Sequence, residues 1–220
     1  MYQYKTVVFD LDGTLLDTLE DLADSVNAAL TTYDCPTKTI EQVRAYVGNG
    51  IQKLMERSVE GGLQHPSFDK IFAKFKEHYK ENCRNKTKPY EGILQVIRTL
   101  KNAGIKVAIV SNKADFAVKE LNEYYFREFQ MVAIGECEGI QRKPAPDTVF
   151  EALRELSSSV EDAIYVGDSD VDIMTAKNAG MPCISVLWGF RDKAFLEQHG
   201  AGCFAETPGD ILRLLEGNCG

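Results

Sequence analysis

Thr6-Val7-Val8-Phe9-Asp10-Leu11-Asp12-Gly13-Thr14-Leu15-Leu16-Asp17-Thr18 is the stretch that decides the fold. Its first four residues form an unbroken β-branched and aromatic run, which suits a strand covered on both faces. Two carboxylates spaced two apart follow directly, with Gly13 next. Asp-Gly is a common turn dipeptide, and a solvated turn is the plainest reading. Yet Asp10 extends from a strand expected to be buried, where an unpaired carboxylate is costly. Neighbouring carboxylates repel unless a cation or a shared proton intervenes, and a hard divalent cation such as Mg²⁺ meets that need.

Similar runs lie downstream: Val107-Ala108-Ile109-Val110, Met131-Val132-Ala133-Ile134, Ala163-Ile164-Tyr165-Val166 and Cys183-Ile184-Ser185-Val186-Leu187. Helical periodicity separates them. Ile93, Val96, Ile97 and Leu100 repeat at helical spacing before Gly104, and Val149, Phe150, Leu153 and Leu156 do so after Pro146. Ile173, Ala176 and Ala179 precede Gly180-Met181-Pro182, a C-cap glycine followed by a helix-stopping proline. Strand, helix, strand at this rhythm predicts an α/β fold, a doubly wound parallel sheet with crossover helices. Ligands of such sheets sit outside the carboxyl ends of the strands, so the polar residues after each strand are the candidates.

From about Asp17 to about Lys88 the rhythm breaks, and only helical patterns remain. Leu19, Leu22, Ala23, Val26 and Leu30 form one apolar face; Leu54 with Val59, and Ile71, Phe72, Phe75 and Tyr79, form others. This predicts an all-helical cap domain, residues 17–88, inserted into a core of residues 1–16 and 89–220. The expected hinges are Leu15 to Thr18 and Thr87 to Gly92, where Lys88-Pro89-Tyr90-Glu91-Gly92 is turn chemistry. Within the insert, Gly48 and Gly50 flank Asn49, a loop able to place Asn49 or its backbone N–H groups near a substrate carboxylate. Lys53 and Arg57 are candidate anion contacts, with an ordinary turn and solvated charges as the competing reading.

Ala163–Val166 continues into Gly167-Asp168-Ser169-Asp170-Val171-Asp172. Helix N-capping accounts for Ser169 or Asp170, but not for three aspartates in five positions. Because this tip and the Asp10–Asp12 tip share one end of the sheet, Asp168 and Asp172 read as further metal ligands. Val110 runs into Ser111-Asn112-Lys113, offering a hydroxyl and an amide at an expected helix start, suited to phosphate oxygens or to simple capping. In Gln141-Arg142-Lys143-Pro144-Ala145-Pro146, Lys143 stands just before a helix that Pro146 sets up.

Charge constrains the ligand further. A net charge of −8 without a Lys/Arg run argues against a nucleic-acid face. An acidic surface also repels anions at long range, so a phosphate ligand needs a local site of metal, lysine and backbone N–H groups. The hydrophobic fraction of 44% excludes extended disorder. The six cysteines show no C-x-x-C pair and read as reduced thiols packed as small hydrophobes. Met1-Tyr2-Gln3-Tyr4-Lys5 leads straight into the first strand, and no apolar run approaches the roughly 18 residues of a membrane span. The expected location is therefore the cytoplasm, with no membrane partner. The sequence is equally compatible with a monomer and a weak homodimer.

Taken in order, hydrophobic-Asp10-x-Asp12-Gly13-Thr14, Ser111, Lys143 and Gly167-Asp168-x-x-x-Asp172 resemble the four motifs of the haloacid dehalogenase superfamily, from Thr6 to about Pro182. The insert resembles that family's helical cap. Asp17-Thr18, Val47-Gly48-Asn49-Gly50, the Gly167–Asp172 run and Ala176-Lys177-Asn178-Ala179-Gly180 are similar to its phosphoglycolate phosphatase-like subgroup, which also contains β-phosphoglucomutases, pyrophosphatases and nucleotidases. The resemblance implies a Rossmann-like core and a Mg²⁺-dependent phosphatase acting on a small phosphorylated metabolite, 2-phosphoglycolate foremost. It implies Asp10 as a nucleophile that becomes an aspartyl-phosphate, and Asp12 as acid and then base. Metal would be held by Asp10, the main-chain carbonyl of Asp12 and Asp168, with Asp172 ligating or orienting. Ser111, the Thr14 region and Lys143 would bind phosphoryl oxygens, and Lys143 would also keep Asp10 deprotonated. Dehalogenases of this superfamily do not need the second acid, so Asp12 favours phosphoryl transfer. A phosphoryl-retaining mutase and a catalytically silent binding module are the rival readings.

Overall fold

The computed structural model describes residues 2–217. The first strand, β1 (Thr6–Phe9), is buried at every position, as its unbroken apolar run requires. β2 (Leu16–Asp17) follows, and then four helices: α1 (Leu19–Thr32), α2 (Ile40–Tyr46), α3 (Gly50–Ser58) and α4 (Phe68–Asn82). After β3 (Lys88–Pro89) come α5 (Ile93–Asn102), β4 (Lys106–Ala114), α6 (Asp115–Phe126) and β5 (Val132–Glu136). The chain continues through α7 (Asp147–Glu155), β6 (Ala163–Gly167), α8 (Asp170–Ala179) and β7 (Cys183–Val186), then α9 (Lys193–Gln198), β8 (Phe204–Ala205) and α10 (Pro208–Leu214). It divides into two compact units, Met1–Leu16 with Pro89–Gly220, and Asp17–Lys88.

The larger unit carries a parallel sheet in the order β5-β4-β1-β6-β7-β8, the doubly wound arrangement predicted above. Val7 lies opposite Val107 on one side and Ile164 on the other. Successive side chains of a strand face opposite ways. Val7 and Phe9 accordingly join Ile93, Val96, Ile97, Val118 and Ile211, while Val8 joins Val149, Leu153, Ala176 and Ala179. Helices α5, α6 and α10 thus cover one face, and α7 and α8 the other. The chain builds outward from β1 through β4 to β5, then crosses back to lay down β6, β7 and β8. The strand ends around β1 are the switch point of this topology, where such sheets open a crevice.

Two departures from the sequence reading matter. Strand β4 does not stop at Val110 but runs to Ala114, with its register against β5 shifting between Val110 and Ala114. Ser111 and Asn112 therefore sit in an irregular strand end, not at a helix start, and α6 begins only at Asp115. Cys35, Cys83, Cys137 and Cys183 are free thiols, but Cys203 is disulfide-bonded, which corrects the expectation of six reduced cysteines. Disulfide pairing depends on spatial proximity that spacing along the chain does not reveal. Cys219 lies outside the described residues.

In the helical unit, α1 buries Leu19, Leu22, Ala23, Val26 and Leu30 and packs against α4, which buries Phe68, Ile71, Phe75 and Tyr79. Asp21, also buried, accepts the backbone N–H groups of Lys86 at 3.0 and 3.1 Å and of Thr87 at 2.8 Å. The buried Thr87 N–H costs about 1–3 kcal/mol when stripped of its acceptor, and the partly buried Lys86 N–H less. Asp21→Ala is expected to lower the unfolding free energy by about 2–4 kcal/mol in urea titrations. A change within about 0.5 kcal/mol would mean that Asp21 does not hold this segment. Among the described residues no helix is long and apolar enough to cross a membrane.

Candidate active site

At the end of β1 the Asp10 N–H still donates to Val166 O at 2.9 Å, so the backbone stays in the sheet while the side chain leaves its edge. Gly13 then turns with φ +90°, a conformation that L side chains rarely adopt. A Cβ there would also lie 2.4 Å from Asp168 Oδ2. Gly167 is needed for close approach alone, since its Cβ would meet the Asp172 side chain at 2.4 Å. These glycines let the tips of β1 and β6 close on each other.

Lys143 lies at the centre, 4% exposed. Its Nζ donates to Asp10 Oδ1 at 2.6 Å, Asp172 Oδ1 at 2.7 Å and Tyr165 Oη at 3.0 Å, so all three ammonium hydrogens have protein partners. Tyr165 in turn donates to Asp172 Oδ1 at 2.9 Å. The other Asp172 oxygen accepts the Ser169 N–H at 3.1 Å and hydroxyl at 2.6 Å, closing the capping box that starts α8. Asp172 is thus filled by four donors. Asp168 Oδ2 accepts the Phe190 N–H at 2.7 Å.

Asp10, Asp168 and Asp172 each offer a carboxylate oxygen, and these atoms lie within 4.8 Å of one another. Burial pushes the Asp10 carboxyl well above the usual carboxylate range; Asp172 and Asp168 push the same way, and Lys143 opposes them. Burial and Asp172 together raise Asp168 to about 7, against the Phe190 N–H and Arg191. Burial also works against the Lys143 charge, yet attraction to Asp10 and Asp172 outweighs it and raises its pKa. With all three carboxylates ionised, one lysine leaves two negative charges uncompensated. A divalent cation matches that deficit in charge and in its preference for oxygen ligands.

The other predicted residues divide. Ser111 is buried, and its Oγ accepts the Lys113 N–H at 3.2 Å, which leaves the hydroxyl hydrogen for another acceptor. Asn112 donates to Lys143 O at 3.0 Å and so holds the lysine's backbone. Thr14 is fully buried; its hydroxyl faces Asp168 Oδ1 at 3.5 Å, a partner other than a phosphoryl group. Asp12 Oδ2 lies 3.3 Å from Lys113 Nζ, while its Oδ1 is buried without a hydrogen-bond partner among the described residues. Gly48, Asn49 and Gly50 belong to the helical unit, where Asn49 Oδ1 accepts from Arg57 at 2.8 Å and Lys53 pairs with Glu56.

Sequence reasoning missed Tyr165, Lys113 and the loop after β7. Tyr165 was read as one more apolar strand residue, although a buried phenol needs a hydrogen-bond partner. In the loop, Trp188 Nε1 donates to Thr14 O at 3.0 Å and Phe190 contributes only its backbone N–H.

The chain matches the family model described as haloacid dehalogenase-like hydrolase over residues 7–186. It is 35% identical over 215 residues to a phosphoglycolate phosphatase of Mesorhizobium japonicum, a span of 96% of this chain and 94% of that one. It is 32% identical over 223 residues to the phosphoglycolate phosphatase of Pseudomonas syringae pv. tomato, covering 97% and 79%. Among solved structures, a protein from Lactobacillus delbrueckii subsp. bulgaricus, provisionally named a phosphoglycolate phosphatase, superimposes with a TM-score of 0.94 at 34% identity, covering 99% of this chain and 100% of that one.

Proposed function

We propose, on the premise that the chain belongs to the haloacid dehalogenase-like hydrolase family, that this phosphoric monoester hydrolase is Mg²⁺-dependent, prefers 2-phosphoglycolate and works through an aspartyl-phosphate on Asp10. The observation that carries the reading is the buried Asp10–Lys143–Asp172 cluster, with Asp168 beside it, at the switch point of the sheet. The choice of substrate is supported by relatives of nearly full-length similarity that bear that name.

In this mechanism an Asp10 oxygen forms a bond to phosphorus as the bond to the leaving oxygen breaks. Asp12 gives that oxygen a proton, then takes one from the water that splits the aspartyl-phosphate, help typically worth about 10²–10⁴-fold. Ser111 donates its free hydroxyl hydrogen to a phosphoryl oxygen. Lys143 holds the attacking carboxylate in place and offsets its charge, and Asp172 and Tyr165 hold Lys143. Asp10, Asp168 and the main-chain carbonyl of Asp12 are the proposed ligands of Mg²⁺, which when bound supplies charge neutralisation at the phosphoryl group. Gly48, Asn49 and Gly50 are assigned the discrimination between substrates.

Phosphate release from a panel of about twenty to fifty phosphorylated metabolites tests the proposal, since specificity is a ratio of kcat/KM values. A sharp preference for 2-phosphoglycolate is expected, with turnover lost in EDTA and restored by Mg²⁺. Full turnover in metal-free buffer would remove the metal from the mechanism. Release from other phosphates but not from 2-phosphoglycolate would keep the phosphatase and change the substrate. A second readout is thermal. Asp10 and Asp168 carry raised pKa values in the folded chain, so ionising them costs stability that is lost as pH climbs above the usual carboxylate range, for Asp168 up to about 7. Mg²⁺ favours the ionised site, and the rise in Tm it causes should be larger at pH 7.5 than at pH 5. An equal shift at both values would count against binding at these carboxylates.

A further inference from the structure

We infer that Lys113 is a positioning residue for Asp12, an inference that rests on the phosphatase mechanism proposed above. Lys113 lies in the irregular end of β4, two residues past Ser111, and is almost as buried as Lys143. A buried ammonium is costly unless paired. Its Nζ lies 3.3 Å from Asp12 Oδ2, with the two side chains 5% and 17% exposed. Charge balance around the metal cluster does not explain it, because Lys143 already serves Asp10 and Asp172.

What Lys113 adds is orientation. The terminal torsion of an aspartate is broad, so a carboxyl held by nothing samples many planes. Lys113 anchors one Asp12 oxygen, and the other remains buried without a protein partner among the described residues. That is the arrangement a proton shuttle needs: one oxygen tethered, the other left for the substrate. In the first step the P–O bond breaks with its electron pair going to the leaving oxygen, which takes the Asp12 proton. In the second, water gives Asp12 a proton as its oxygen bonds to phosphorus, and the electron pair of the Asp10–phosphorus bond returns to Asp10. Both transfers require the same carboxyl in the same place, and misplacement by about 1 Å can cost about 10²-fold.

The experiment compares Lys113→Met, Lys113→Gln and Lys113→Arg with the unsubstituted enzyme on phenyl phosphate and p-nitrophenyl phosphate, with Mg²⁺ present. Phenoxide is the poorer leaving group and depends more on the proton from Asp12. Lys113→Met and Lys113→Gln are expected to lower kcat about 30-fold on phenyl phosphate and about 3-fold on p-nitrophenyl phosphate, with KM changed less than about 3-fold. Lys113→Arg, which keeps a donor and a charge, should recover most of the difference between the two substrates. Equal losses on both substrates, in variants with cooperative melts, would overturn the inference in favour of a structural role. A rise in KM with kcat unchanged would overturn it in favour of a substrate contact. If neither neutral variant folds, the arginine variant decides: a residual loss larger on phenyl phosphate than on p-nitrophenyl phosphate supports the inference, and an equal loss or none overturns it. Failure of the unsubstituted enzyme to hydrolyse both these compounds and 2-phosphoglycolate would bring down the phosphatase reading and this inference with it.

Discussion

Asp10→Asn is expected to lower the rate of phosphate release by about 10⁴-fold or more, the scale seen when an attacking group is removed from an otherwise intact site. Asparagine has the size of aspartate, and its carbonyl can still accept from Lys143 Nζ, now 2.6 Å from Asp10 Oδ1. What it lacks is a carboxylate able to attack phosphorus. The fold should survive. Burial and the neighbouring Asp172 and Asp168 already strain the ionised form of Asp10, so neutralising it relieves repulsion as it weakens the pairing with Lys143. A cooperative melt within about 5 °C of the unsubstituted protein is the expected control, because these opposing changes are each of a few kcal/mol at most. Intact-mass measurement after brief exposure to substrate should show a phosphorylated form of the unsubstituted chain and none of the variant. Turnover within about tenfold of normal would end the assignment of Asp10 as nucleophile, whatever the metal dependence.

The same residues show what could be read from the sequence and what could not. Asp10 was legible because an unbroken apolar run must be buried on both faces, so a carboxylate at its end stands where water is scarce. The doubly wound parallel sheet was legible from the alternation of such runs with helical patterns, but its order β5-β4-β1-β6-β7-β8 was not, nor was β8, since Phe204–Ala205 is too short to carry a period. Ser111 was expected at a helix start but lies within β4, because a register shift in that strand leaves no trace in hydrophobic pattern. Tyr165 was hidden within the apolar alphabet of its strand; its role depends on an oxygen that meets Lys143 and Asp172 only after β6 lies beside β1. Phe190 acts through a backbone N–H that any residue but proline would supply, so no side-chain pattern could mark it. Local burial and turn chemistry are written in order along the chain. The direction of a buried polar atom is set by partners far apart along the chain, 133 positions for Asp10 and Lys143 and 154 for Thr14 and Asp168.

Lys143→Met is expected to damage both stability and turnover, in a way that separates charge from placement. Methionine fills much of the lysine volume but leaves Asp10, Asp172 and Asp168 without the cation between them. Removing one partner of a buried ion pair costs about 3–5 kcal/mol, because the remaining charge is uncompensated. The sign of the pH dependence follows. Carboxyls already raised in the folded chain rise further without the lysine, so the variant loses more stability with each step up in pH through that range, and the deficit should be largest at pH 8 and smaller at pH 5. Mg²⁺ supplies positive charge to the same carboxylates and should return part of the lost Tm. Turnover should fall about 10³-fold, since preorganised charge at a reacting centre is worth about that much. If Lys143 served only to hold the fold together, the metal that restores the melt would restore the rate as well. Lys143→Arg supplies the complementary case: its charge is retained, but a planar fork cannot reproduce three donors converging on Asp10, Asp172 and Tyr165. Its stability loss should be the smaller of the two, while its rate stays at least about 10²-fold down. A rate near normal in the arginine variant would show that charge suffices and that the placement of the ammonium against Asp10 is not required.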